Sequence, residues 1–148
     1  MPFFDQPLTP AMPGRSPYEN EVVKRWTAAI AASDGFVFVT PEYNYGPSAV
    51  LKNALDWGSR PWGTNSWGNK PGAVLGTSLG ATGTALAQQH LRNVLAYLDV
   101  QTLGQPEMFI KHTAGQIDEN GDIASDDTRK FLQKFVDRYV DWVKRHVG

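Results

Sequence analysis

Phe36-Val37-Phe38-Val39-Thr40-Pro41-Glu42-Tyr43-Asn44-Tyr45-Gly46-Pro47-Ser48 is the stretch that decides the fold. Its first four residues are an unbroken run of aromatic and β-branched side chains, the pattern of a strand buried on both faces of a parallel sheet. Residues 40–46 carry the turn formers that end such a strand, and Pro47 with Ser48 opens a helix. In that helix Val50, Leu51, Ala54 and Leu55 fall on one side, Lys52, Asn53 and Asp56 on the other, and Gly58 stops it. A buried strand followed by a loop and an amphipathic helix is the repeating unit of an α/β fold.

Working outward, the same unit recurs. Before Phe36, Asp34 and Gly35 end a helix whose apolar positions are Val22, Val23, Trp26, Ala29 and Ile30. The sequence starts that helix at Ser16, with Pro17 in its first turn and Glu19 completing a capping box. Residues 1–15 are rich in proline and read as an irregular lead-in. After Gly58, residues 59–71 hold Trp62 and Trp67 among Gly, Pro, Asn and Ser, which predicts a mobile or ligand-facing loop. Residues 72–77 read as a second buried strand, 78–83 as its glycine-rich exit loop, and Leu86, Leu91, Val94, Leu95 and Leu98 as the core positions of the next helix. A weaker strand lies within residues 101–110, interrupted by Pro106. Past the turn Asp118-Glu119-Asn120-Gly121, Ser125 caps a last helix with Asp126 and Asp127 in its first turn and Lys144, Arg145 and His146 in its last, as the helix dipole favours. Its core face is Leu132, Phe135, Val136, Tyr139, Val140 and Val143.

The order α, β, α, β, α, β, α predicts one domain over residues 1–148, with a parallel sheet, right-handed crossovers and helices on both faces. Three strands separate four helices poorly, and the chain opens on a helix, so the reading is of a doubly wound sheet that is incomplete at its N-terminal side.

Composition narrows the function. The 148 residues are 41% apolar and 20% charged with a formal net charge of −1, and no basic stripe marks a nucleic-acid binder. There is no cysteine, which excludes disulfides, thiolate metal sites and a Cys nucleophile and fits a reducing cytoplasm. No apolar run approaches the ~20 residues that span a bilayer, and the first residues lack a signal-peptide pattern, so no membrane partner is expected. His90, His112 and His146 are far apart and form no metal motif.

In open α/β sheets ligands bind at the carboxyl ends of the strands. Two loops qualify. The first joins the ring of Tyr43, the amide of Asn44 and a flexible point at Gly46, which suits a flat heteroaromatic ligand. The second, Ser78-Leu79-Gly80-Ala81-Thr82-Gly83, lets backbone approach a ligand closely. Each also has a plain reading, as a β-turn with an exposed ring and as a tight strand-to-helix turn.

Residues 40–57, Thr-Pro-Glu-Tyr-Asn-Tyr-Gly-Pro-Ser-Ala-Val-Leu-Lys-Asn-Ala-Leu-Asp-Trp, resemble the signature of the NADPH-dependent FMN reductase family. In that signature Pro-Glu-Tyr-Asn precedes Leu-Lys-Asn-Ala-x-Asp-Trp. Ser59-Arg60-Pro61, Lys70-Pro71 and the serine-glycine loop after Gly76 are similar to the family as well. The resemblance implies a flavodoxin-like fold, noncovalent FMN, and electron transfer from NAD(P)H through the flavin to a small-molecule acceptor: a quinone, free flavin, azo dye or metal oxyanion. It further implies that Pro41, Glu42, Tyr43 and Asn44 line the isoalloxazine edge and that Ser78 and Gly80 approach its other side, with no side chain acting as acid or base. Glu42 then reads as a carboxylate oriented by its own loop or a partner subunit. A homodimer or tetramer is expected, with the helix after Pro47 and the loop through Trp62 at the contact and Trp57 and Trp62 as its aromatic residues.

Two departures stand out. The hydroxyl that family members carry just after Asn appears here two positions later, at Ser48. No stretch of residues 1–20 matches the Gly-Ser-x-Arg loop that holds the FMN phosphate in the family, so the resemblance implies a missing opening βα unit and weak or absent FMN binding by this 148-residue form. Arg60 is open to two readings, a phosphate contact or a surface ion-pair residue. A flavin-free interaction or oligomerisation module, and a nucleotide-binding domain using the loop of residues 78–83, are the competing functions.

Overall fold

The computed structural model describes residues 1–5 and 20–147. In chain order the elements are α1 (Glu21–Ala31), β1 (Phe36–Val39), α2 (Ala49–Gly58), β2 (Pro71–Ser78), α3 (Ala85–Tyr97), β3 (Gln101–Thr102), β4 (Phe109–Lys111) and α4 (Asp126–Val147). Asn20 caps α1, its side chain accepting a hydrogen bond from Val22 N at 2.9 Å. The expected start at Ser16, Pro17 and Glu19 lies outside the described residues.

β1 pairs with β2 in parallel, Phe36 opposite Gly72 and Val39 opposite Leu75. The weak third strand is two short ones, β3 beside Pro71 and Gly72, and β4 beside Gly76, Thr77 and Ser78. The bonds Leu103 N to Gly72 O and Gly76 N to Met108 O leave β2 from residues an even number apart, so β3 and β4 lie along one edge of β2. They are one strand position broken by residues 103–108, where Pro106 has no N–H to give a ladder.

Alternate residues of the sheet feed two cores. On one side Phe38, Val74 and Val100 meet Ile30, Leu55, Trp67, Leu91, Leu95 and Leu98 from the helices and the 59–70 segment. On the other, Ala73, Leu103 and Met108 meet Phe135 of α4, with Leu132, Tyr139 and Trp142 packed around them. The Trp142 indole donates to Gln101 O at 2.7 Å and pins α4 to β3.

Four expectations from the sequence change here. β1 is not buried on both faces: Val37 and Val39 are 41% and 60% exposed, because α4 crosses β2 and leaves their side of β1 uncovered. Trp67 lies not in a mobile or ligand-facing loop but in the core, ringed by Trp26, Phe36 and Phe38, with its indole donating to Leu55 O at 3.0 Å. Trp57 is fully buried under residues 1–5: its ring meets Phe4 edge-on and its N–H reaches Pro2 O, so it offers no surface for a subunit contact. On the helices Val22, Val50, Leu86, Val136 and Val140 face outward, since each apolar stripe in contact is narrower than the run of apolar residues.

Candidate functional site

Both candidate loops leave the carboxyl ends of adjacent parallel strands, so they rise at the same edge of the sheet. Tyr43 and Gly46 exchange both backbone hydrogen bonds, at 3.0 and 2.9 Å, around Asn44 and Tyr45. Those two residues have φ of 51° and 63°. Two central residues at positive φ define a tight turn of the I′ kind, which suits Asn but strains a tyrosine. The turn holds the rings of Tyr43 and Tyr45 out from the protein, 64% and 66% exposed.

The second loop is wound on itself. Ser78 Oγ accepts from Gly80 N at 3.1 Å, and Gly83 N donates to Gly80 O at 3.1 Å. Gly83 has φ +59°, and a Cβ there would lie 2.9 Å from the Phe109 carbonyl carbon, so only glycine lets α3 start this close to β4. The backbone N–H groups of Asn44, Tyr45, Leu79 and Ala81 have no hydrogen-bond partner among the described residues. They are backbone donors left open at this edge of the sheet.

Glu42 joins the loops. Its carboxylate accepts from Ala87 N at 2.9 Å and from the Thr82 hydroxyl at 3.4 Å. These contacts come from the loop before α3 and from α3 itself, not from the loop that carries Glu42 as the sequence suggested. Pro41 leads into the turn behind Thr40, which is buried and bonded to Leu75 O through its N–H. The displaced hydroxyl of Ser48 caps α2, accepting from Leu51 N at 3.3 Å.

The register adds a third loop that the sequence reading passed over. Ser78 pairs with Lys111, and His112 N donates to Ser78 O at 2.8 Å. Lys111 and His112 thus reach the same rim, a placement hidden in the sequence by the weakness of the strand that carries them.

Arg60 lies at the other end of the sheet, beyond the C-terminus of α2. Its Nη1 donates to Ser59 O and Oγ, and its guanidinium lies 5.7 Å from the Phe4 ring centroid and 5.2 Å from that of Trp62. That position removes it from any ligand phosphate at the loops. The cleft there, about 260 Å³ between Arg60, Trp62, Asn65 and Tyr97, is below the roughly 300–1,000 Å³ of ordinary ligand pockets. Among the described residues no group of three or more His, Cys, Asp or Glu could hold a metal, and no helix is long and apolar enough to cross a membrane.

Parallel strands with helices on both sides and paired loops at one carboxyl edge define an open, flavodoxin-like α/β protein. Residues 1–115 match the NADPH-dependent FMN reductase family, and the chain belongs to that family. It is 59% identical over 124 residues to a 2-hydroxy-1,4-benzoquinone reductase of Burkholderia sp, covering 84% of this chain and 68% of that one. It is 43% identical over 126 residues to an NAD(P)H-dependent FMN reductase of Pseudomonas aeruginosa, covering 85% and 68%. Among solved structures it resembles the flavoenzyme NAD(P)H:(acceptor) oxidoreductase FerB of Paracoccus denitrificans, with a TM-score of 0.80 and 40% identity over 90% of this chain and 78% of that one.

Proposed function

We propose that residues 1–148 act as one flavodoxin-like domain of a cytoplasmic NAD(P)H-dependent oxidoreductase that uses FMN and reduces a quinone. The observation that carries it is the pair of loops at one sheet edge: exposed Tyr43 and Tyr45 rings beside unpartnered backbone N–H groups of residues 44, 45, 79 and 81. A flat ring system with several carbonyl and nitrogen acceptors fits that donor set. The relatives named quinone reductase favour a quinone over a free flavin, azo dye or metal oxyanion as the acceptor.

When bound, FMN supplies the two-electron chemistry, taking electrons from the nicotinamide and giving them to the acceptor. The chain's part is to bind and orient. Tyr43 and Asn44, with Pro41 and Glu42 behind them, would hold one edge of the ring system, and Ser78 with Gly80 the other. The first turn of α3 already holds the Glu42 carboxylate, so it would not receive the flavin phosphate. The outward-facing Val50 of α2, 79% exposed, and the 74% exposed Trp62 would be covered in a homodimer or tetramer.

The test is a titration of the purified protein with FMN, followed by flavin fluorescence, and then by NAD(P)H oxidation with a benzoquinone. Weak but saturable quenching is expected of this form, with quinone-dependent turnover at high FMN. No quenching at ~100 μM FMN would overturn the reading in favour of a flavin-free module. A submicromolar dissociation constant would overturn only the weak binding expected from residues 1–20.

A further inference from the structure

Helix α3 starts without using the cap its sequence offers. Thr84 occupies the cap position but makes no side-chain bond to the first turn. Its Oγ1 instead accepts from the buried Gln88 amide at 2.7 Å, and the same amide nitrogen donates to Met108 O at 2.8 Å. The hydroxyl is committed to the Gln88 amide, and that amide fastens α3 to the chain that leads into β4.

The missing cap comes from another loop. Ala87 is the third residue of α3, whose N–H a capping side chain ordinarily takes. That N–H donates to Glu42, which is 45 residues away in sequence, and the Thr82 hydroxyl before the helix donates to the other carboxylate oxygen. A carboxylate is the favoured group at a helix N-terminus, where backbone N–H groups and the dipole both present positive charge.

We propose that Glu42 is a positioning residue: it caps α3 across the sheet edge and so sets the distance between the turn at Tyr43 and the loop at Ser78. The inference rests on the FMN reading for its functional consequence. One side of the ligand is carried by β1 and the other by β2, and past the strand ends the Glu42 side chain ties the two loops together. A ligand held between them then meets a gap of fixed width, which spares it the cost of ordering the loops on binding. Neutralising the first turn of α3 also turns an anionic ligand group away from that turn.

The test compares Glu42→Ala, Glu42→Gln and Thr82→Val with the unsubstituted protein. Measured are amide hydrogen exchange at Ala87 without ligand, the FMN dissociation constant, and KM and kcat for quinone reduction. Glu42→Ala is expected to speed exchange at Ala87 and weaken FMN, each by about tenfold, and to raise KM for the quinone more than it lowers kcat. Glu42→Gln keeps an acceptor oxygen and is expected to restore both to within about threefold. Thr82→Val, which removes only the longer bond, should stay close to the unsubstituted protein. Unchanged exchange at Ala87 in Glu42→Ala overturns the proposal. So does a Glu42→Gln variant that binds FMN as poorly as Glu42→Ala, since that marks a charge contact with the ligand rather than a cap. If the unsubstituted protein binds no FMN, the functional reading fails, and exchange at Ala87 still decides the cap.

Discussion

A Cβ added to Gly76 would lie 2.2 Å from the Thr40 carbonyl oxygen and 2.5 Å from Thr84 Oγ1. The contact ties the exit of β1 to the middle of β2 and to the start of α3. The loops at Tyr43 and Ser78 therefore leave a sheet edge whose width is set by the absence of one side chain.

Gly76→Ala is expected to destabilise the protein by about 1–3 kcal/mol or more, because backbone rather than a flexible side-chain end must move. Urea unfolding followed by tryptophan fluorescence measures it. A midpoint equal to that of the unsubstituted protein would show that the strands separate at little cost.

Trp67→Phe keeps a ring against Trp26 and Phe36 but deletes the donor to Leu55 O. Leaving a buried carbonyl unpaired costs about 1–3 kcal/mol, and the loss should appear in the same unfolding measurement.

Tyr45 is a bulky residue at φ 63° whose ring makes no core contact and is 66% exposed. Glycine is the preferred residue at the second central position of such a turn. Tyr45→Gly is therefore expected to raise stability by about 1 kcal/mol while weakening FMN binding. Thermal unfolding and the fluorescence titration read the two effects separately, and a loss of stability would contradict the strain argument.

Lys70 donates to Ile30 O and Ala31 O at 2.8 and 2.7 Å, closing the C-terminus of α1 from the segment before β2. Lys70→Met should cost about 1 kcal/mol at low salt. The difference should shrink in high salt, since part of it is the interaction of a partly exposed charge with the helix dipole.

Burial holds the Tyr139 phenol above its ordinary value of 10.0. A group whose folded pKa is raised contributes stability that is present below the unfolded value and lost as pH rises through the folded one. Stability of the unsubstituted protein should therefore fall above about pH 10 more steeply than that of Tyr139→Phe, as comparative unfolding across that range would reveal.

Local pattern was enough to find most of the architecture. The run of residues 36–39 matches β1 residue for residue, Ser48 caps α2, Ser125 accepts from Thr128 N ahead of α4, and the turn at Asp118 closes through Gly121 at φ +88°. These features are encoded by neighbours within a few positions, through β-branching, capping and turn chemistry. The signature at residues 40–57 likewise identified the family before any geometry was known.

Only the tertiary structure decided what each side chain does there. Composition around Trp67 says loop, yet three rings and a helix carbonyl bury it; the apolar run at β1 says two covered faces, yet α4 passes over β2 and misses Val37 and Val39. Glu42 and Ala87, 45 residues apart, are joined because parallel strands bring their loops to one edge. Periodicity and capping are properties of contiguous residues, whereas burial, pairing register and a cap supplied by another loop depend on which segments meet, and that is settled only when the sheet closes.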